Sequence, residues 1–491
     1  MFKNKSHPKR QKISYYITSV KKSNIPGNLS LNSFFKDVAE AVAGTEQDFT
    51  EGGLGRAILL LSIPAVLEMI MESVFVIIDI FFVSKLGAEA VATVGLTESI
   101  ITVVYAISLG LATATTSMVS RRIGEKKYDK ASVTAFQAIL AGTLVSLLIA
   151  VPGIIFADDL LEIMGASARI VENMSGYTRI MLGGNIVIML LFIINAIFRS
   201  AGDAAVAMKV LWLGNFINIV LDPCLIFGWG PFPELGVKGA AVATTIGRGT
   251  AVLYQIFLLS FGHKRIKMSA RHLVVNINII IRLIRLSLGT IGQNLIGTTS
   301  WIALVRIIAL FGSEIVAGYT IAIRIISFVL LPSWGISNAA STLVGQNLGA
   351  KKPLRAEKAV KITGSINMIL LGIVGLILVI MPAPFIGFFI DDPKVLQPGI
   401  ECLQIVSTGF IAYGFGMVIV NSFNGAGDTM TPLKINIFAF WLVEIPLAWF
   451  LAITLGMDHT GVFVAIVIAE SLMTVTAWLV FRRGKWKLKE V

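Results

Sequence analysis

The chain has 491 residues, of which 55% are hydrophobic and 14% charged, with a formal net charge of +12 and a mean hydropathy of +0.81. A soluble domain carries about 25% charged residues, so the composition excludes a water-soluble globular protein and points to a polytopic membrane protein. The positive charge does not argue for nucleic acid as a partner, because the basic residues lie mostly in loops and tails, where membrane topology accounts for them.

Residues 1–53 are rich in Lys, Ser and Asn and lack the apolar core of a secretory signal. They are expected to form a disordered cytoplasmic tail, with a short amphipathic piece near residues 34–42. A membrane span needs about 20 mostly apolar residues. Twelve stretches qualify: 56–83, 92–118, 131–157, 170–198, 206–229, 236–261, 278–308, 316–343, 357–382, 396–422, 431–454 and 460–481. The expected organisation is an N-lobe over 54–262, a cytoplasmic linker over 263–276, a C-lobe over 277–483 and a short tail over 484–491. The fold class is therefore an all-α membrane protein of twelve transmembrane helices in two six-helix lobes.

The lobes read as an internal repeat. Gly87 and Gly312, Gly124 and Gly349, and Asp203 and Asp428 sit in matching local sequence, each pair 225 positions apart. A duplicated helical bundle is a common architecture of secondary transporters, with the substrate site between the halves. The charges give the orientation. Arg121, Arg122, Lys126 and Lys127, the 264–271 segment, Lys351, Lys352 and Arg355, and the C-terminal basic cluster all fall on one side. The opposite loops carry Asp158, Asp159, Glu162, Glu234, Asp391, Asp392 and Asp458. The positive-inside rule places both termini in the cytoplasm of a cell membrane, and six spans per half make the repeats parallel.

No G-x-x-x-x-G-K-[ST] loop is present, which disfavours ATP-driven pumping by this chain, and nothing suggests a catalytic nucleophile or a bound cofactor. Cys224 and Cys402 lie in apolar stretches and do not read as a disulfide. None of the four histidines lies mid-span, so proton chemistry inside the membrane must use carboxylates.

A charge in the bilayer core costs at least ~2.5 kcal/mol, so intramembrane carboxylates usually mark a site or a partner. Glu68, Glu72 and Asp79 in the first span are spaced by four and seven and share one helical face. Asn218 and Asp222 in the fifth span are four apart, as are Ala240 and Thr244 in the sixth. At 1.5 Å rise per residue, Asp79, Asp222 and Thr244 fall within about 5 Å of depth in the outer half. Two carboxylates, an amide and a hydroxyl at one depth suit a proton or a hard cation; separate interhelical hydrogen bonds are the alternative. At an offset of 225 the counterparts of Asp79, Asn218 and Asp222 are Leu304, Val443 and Leu447, all apolar. Coupling chemistry is therefore expected in the N-lobe. The C-lobe offers Gln293, Asn294, Arg324, Glu444 and Glu470, with Glu98 as a cross-lobe partner for Arg324. Pro64 kinks the first span, either statically or as a bend that follows the charge state of Asp79.

The stretch Leu331-Pro332-Ser333-Trp334-Gly335-Ile336, running on to Leu343-Val344-Gly345-Gln346-Asn347-Leu348-Gly349-Ala350, resembles the eighth-span signature of the multidrug and toxic compound extrusion (MATE) family, DinF-like branch. Asn218-Ile219-Val220-Leu221-Asp222-Pro223, Gly236-Val237-Lys238-Gly239-Ala240 through Thr244, and Ile78-Asp79-Ile80 through Gly87 resemble its fifth, sixth and first spans. The resemblance implies a monomeric antiporter that moves small organic, often cationic, compounds outward in exchange for Na⁺ or H⁺. It places the coupling site on Asp79, Asn218, Asp222, Ala240 and Thr244, with Na⁺ a candidate ligand of Asp79, Asn218, Asp222 and Thr244. Glu68, Glu72, Pro64, Gln293, Asn294, Arg324 and Glu444 become candidates for the substrate cavity or gating. A related branch uses a carboxylate in the seventh span, where this chain has the neutral Gln293 and Asn294. Flipping of lipid-linked saccharides, in the same superfamily, is the alternative; it more often comes with fourteen spans and a basic central cavity.

Overall fold

The computed structural model describes residues 31–44, 47–262 and 265–491, which are helical throughout, with no strand among them. The N-lobe contains α1 (Leu54–Ser84), α2 (Ala88–Gly124), α3 (Tyr128–Ile155), α4 (Ala168–Ala201, interrupted at Gly184), α5 (Ala204–Phe227) and α6 (Val237–Phe261). The C-lobe contains α7 (Ile277–Ile308), α8 (Ser313–Gly349), α9 (Pro353–Ile380), α10 (Pro393–Ser407 and Phe410–Ala426, bent by 57°), α11 (Met430–Thr454) and α12 (Asp458–Arg482). Ten of these are long and apolar enough to cross a membrane, and the bent α10 makes eleven. The 31-residue α1, with its three carboxylates, completes the twelve. Large apolar side chains on the outer faces, such as Leu148, Leu253 and Ile369, are exposed, as a lipid-facing surface requires.

The repeat is written into the backbone. Helices α2 and α8 start at 88 and 313, α3 and α9 at 128 and 353, α4 and α10 at 168 and 393. The turns match as well: Gly87 has φ 99 and Gly312 φ 120, while Lys126 has φ 60 and Lys351 φ 57. Glycine at 87 and 312 relieves the steric cost of that left-handed conformation.

The offset does not hold to the end. In α11, Pro432, Ile435, Asn436 and Ala439 are buried and follow Ala207, Val210, Leu211 and Gly214 at 225. Beyond a π-helical stretch, Ile437–Glu444, the buried residues Glu444, Ala448 and Ala452 instead follow Asn218, Asp222 and Ile226 at 226. A π turn accommodates one extra residue. The counterpart of Asn218 is therefore Glu444 rather than Val443, and that of Asp222 is Ala448 rather than Leu447. In α12 the buried Gly461, Val462, Phe463 and Ala465 follow Gly239, Ala240, Ala241 and Ala243 at 222, which sets Glu470 opposite Arg248. The expectation of three apolar counterparts is thereby corrected at Asn218 alone: Asp79 and Asp222 still correspond to the apolar Leu304 and Ala448.

The lobes join through α1 against α8 and α2 against α7, a repeat-related pair of contacts, and through α2 against α8. Close approaches fall in the half nearer the basic loops. A Cβ on Gly335 would meet the Ala65 backbone, one on Gly345 the Ser120 side chain, and one on Gly124 the Gln346 backbone. Gln346 also donates to the Ser200 carbonyl at 2.8 Å. In the opposite half Glu98 and Arg324 are exposed.

Part of the expected tail is ordered. Residues 1–30 lie outside the described residues, but Leu31–Ala43 is a helix, and residues 47–52 contact both lobes at their basic end. Arg56 pairs with Glu40 at 2.6 Å, and Lys209 donates to the Ala43 carbonyl. Arg265 of the N-lobe side donates to the Gln47 carbonyl, while Lys352 and Arg355 of the C-lobe donate to those of Thr50 and Gly52. Phe49 is buried. The physical reason is that loop cations find backbone carbonyls here, and one aromatic anchors the segment. Residues after 484 dock too: Trp486 is buried against Phe481, and Arg122 donates to the Val491 carbonyl at 3.1 Å.

Candidate ion and substrate sites

Three N-lobe helices carry the candidate residues of this lobe. Helix α1 supplies Glu68, Glu72 and Asp79; α5 supplies Asn215, Asn218 and Asp222; α6 supplies Ala240, Thr244 and Arg248 at a strict spacing of four. Each set shares a face because three, four or seven residues complete whole turns.

The Asn218 amide donates to Asp222 Oδ1 at 3.3 Å and lies 3.2 Å from Thr244 Oγ1. Asp222, Asn218 and Ala240 are fully buried and Thr244 nearly so. Asp79 is within electrostatic reach of Asp222. Asp79 Oδ1, Asn218 Oδ1 and Asp222 Oδ2 are each buried without a hydrogen-bond donor. Unpaired buried acceptors are costly. A set of three within one site fits a proton or a small hard cation, which takes oxygen ligands. Among the described residues no cluster of three or more His, Cys, Asp or Glu side chains is arranged as a metal centre, so an ion here relies on neutral oxygens besides the two carboxylates.

Glu68 and Glu72 do different work. Buried Glu68 receives Arg199 Nη1 at 2.9 and 3.0 Å and the Asn195 amide at 3.0 Å. Glu72 receives Arg248 Nη2 at 2.9 Å and the Asn215 amide at 3.3 Å. Arg248, 4% exposed, also donates to Tyr105 at 3.0 Å and lies 5.3 Å from the Phe75 ring centre. Both carboxylates are thus paired with arginines of the same lobe. The arginines are the residues that sequence reasoning missed. Arg248 was findable as the next member of the Ala240–Thr244 face; Arg199 was hidden by its place near a span end, where a cation reads as topology.

The C-lobe repeats this geometry with different chemistry. Gln293 and Asn424 stand 225 positions from Glu68 and Arg199 and form a reciprocal amide pair at 3.1 and 3.2 Å. Glu444 accepts from Ser300 at 2.6 Å and does not line a cavity with the amides. A cavity of about 380 Å³ opens beside the pair, lined by Gln293, Asn294, Asn338, Asn421, Asn424 and Asn436, with Leu109 and Thr113 from α2. Gln293 and Asn294 thus both line this cavity. Arg324 is exposed outside the cavity and within electrostatic reach of Glu98, but the two form no ion pair among the described residues. Pro64 is buried within a continuous α1, next to the Ala65 contact with Gly335.

Two parallel six-helix repeats, a buried acceptor cluster in one lobe and a cavity at the other define a membrane transporter rather than an enzyme. The MatE family profile matches residues 64–224 and 290–450, one match per lobe and more than half the chain. The chain belongs to the MATE family. It is 27% identical over 453 residues to the probable multidrug resistance protein NorM of Thermotoga maritima, covering 89% of this chain and 94% of that one. It is 24% identical over 442 residues to the probable multidrug resistance protein YoeA of Bacillus subtilis, covering 89% and 95%. A solved outward-facing structure of a multidrug resistance MATE transporter superposes with a TM-score of 0.84 at 25% identity, covering 92% of this chain and 99% of that one.

Proposed function

We propose that this transporter exports small organic compounds, cationic drugs and metabolites among them, in exchange for Na⁺ or H⁺ entering through the N-lobe site. The basic end and both termini face the cytoplasm of the cell membrane on this reading. The observation that carries it is the trio of buried acceptors without donors, Asp79 Oδ1, Asn218 Oδ1 and Asp222 Oδ2. Two nearby carboxylates in low dielectric do not both stay charged and unpaired; one takes a proton, or both share a cation. Asn218 and Thr244 then supply neutral oxygens, and Ala240 leaves room on the same face. The ion drives the cycle only if its affinity differs between the two openings of the lobes. The multidrug roles named for the Thermotoga and Bacillus relatives support organic cargo. The saccharide-flippase alternative calls for a basic cavity, whereas the cavity beside Gln293 is lined by no charged side chain.

The test is transport in proteoliposomes with Na⁺ and pH gradients imposed separately. Wild-type protein concentrates substrate against one gradient, and Asp79→Asn and Asp222→Asn each abolish that coupling while eluting as folded protein in detergent. Gradient-driven export that survives both substitutions removes the N-lobe assignment.

A further inference from the structure

We infer that the organic substrate sits in the C-lobe cavity, and that the cavity takes an uncharged planar heteroaromatic compound through its paired N–H and C=O edges. The inference rests on the export reading above and narrows its substrate class away from cations.

The lining decides the chemistry. A volume of about 380 Å³ has room for one fused ring system. Six carboxamides face it, and no charged side chain does. A carboxamide presents a donor and an acceptor side by side, the complement of a lactam, imide or aminopyrimidine edge. Gln293 and Asn424 are held by each other, and Asn294 donates to the Thr290 carbonyl. Asn436 Oδ1 and Thr290 Oγ1 are buried without any partner, on residues 8% and 7% exposed. Both atoms are shielded even from water, so the amides left to meet a ligand are led by Asn338 and Asn421, which line the cavity and make no side-chain hydrogen bond among the described residues. Trp334 and Phe440 offer ring faces for stacking, and Met417 and Met473 adapt to shape.

The repeat counterparts show what differs at this space between the two lobes. Glu68 and Arg199 correspond to Gln293 and Asn424, and Glu72 corresponds to Gly297. The N-lobe position is filled by ion pairs; in the C-lobe amides replace the charges, and a glycine vacates the volume of a glutamate. A cation entering the C-lobe cavity would shed its hydration shell without meeting a carboxylate, which is unfavourable. An uncharged ring with matching edges exchanges its water hydrogen bonds for amide ones.

The experiment is equilibrium binding to purified full-length protein in detergent, read by probe fluorescence. Lumichrome is the uncharged heteroaromatic imide, and ethidium is a planar cation of similar breadth. Wild-type protein binds lumichrome at least about tenfold more tightly than ethidium, and Asn421→Leu and Asn436→Leu each weaken lumichrome about tenfold while moving ethidium by less than about twofold. Equal or tighter ethidium binding by the wild type overturns the inference without reference to any variant. So does unchanged lumichrome affinity in both variants. Coupled export with no lumichrome binding sinks this inference and leaves the coupling assignment standing. Lumichrome binding without gradient coupling supports the inference while the coupling assignment fails.

Discussion

Replacing Arg199 with asparagine, the residue its repeat counterpart Asn424 carries, tests whether the two lobes hold interchangeable versions of one polar contact. Glu68 is 3% exposed and takes two of its three hydrogen bonds from Arg199, at 2.9 and 3.0 Å. Removing one member of a buried ion pair costs about 3–5 kcal/mol, because the remaining charge is stranded. The Asn195 amide at 3.0 Å stays in place and offsets about 1 kcal/mol of that. Arg199→Asn alone should therefore destabilise the protein by about 2–4 kcal/mol. Adding Glu68→Gln rebuilds in the N-lobe the reciprocal pair seen between Gln293 and Asn424 at 3.1 and 3.2 Å. The double variant should return to within about 1 kcal/mol of the wild type, since two neutral amides satisfy each other. Denaturant midpoints in mixed detergent, followed by tryptophan fluorescence for all four members of the cycle, supply the coupling energy. A harmless Arg199→Asn, or a double variant as unstable as that single one, would refute the equivalence of the two contacts.

Glu444→Gln in the C-lobe should reduce gradient-driven export less than either aspartate substitution in the N-lobe, because Glu444 is held by Ser300; loss of coupling in this variant alone would move the ion path to the C-lobe. Pro64→Ala should express and elute normally yet transport slowly, since neighbouring helices tolerate either residue there, and wild-type transport rates would reduce Pro64 to a static kink. Cysteines at Lys127 and Lys352 should resist an impermeant reagent added outside intact cells, and ready labelling would invert the topology.

The helices and their pairing were legible because each span is a long apolar run and because the glycine turns repeat. Edges moved outward where helices continue past the apolar stretch: α2 spans 88–124 where hydropathy marks 92–118, and α8 spans 313–349 where it marks 316–343. Those extra turns carry Arg121, Arg122 and the close approaches of Gly124 to Gln346 and of Gly349 to Arg121 that close the basic end. Asn218, Asp222 and Thr244 were found together because helical spacing and depth are computable from numbering alone. What composition concealed was pairing. Glu68 and Glu72 read as free carboxylates until Arg199 and Arg248, more than a hundred positions away, came into contact with them. The docking of residues 47–52 was concealed likewise, because the hydrogen bonds to it come from loop cations on both lobes. The register of α11 could not be read at all without the backbone, since a π turn leaves no composition signature.

That π turn bears on how duplicated transporters diverge. Point substitution alters one side chain and leaves the others facing where they did. A single inserted residue rotates everything after it by about 100° around the helix axis. In α11 the stretch Ile437–Glu444 absorbs the insertion, so a carboxylate occupies the slot held by Asn218 in the sister lobe, and Ala448 occupies that of Asp222. The connection to α12 is shorter than its N-lobe equivalent, with Thr454 and Asp458 flanking it where Phe227 and Val237 flank the other. Length changes of one and a few residues thus re-dealt the interior positions of α11 and α12 relative to α5 and α6. A length change inside α11 therefore alters which residues face the lobe interior without any substitution at those positions.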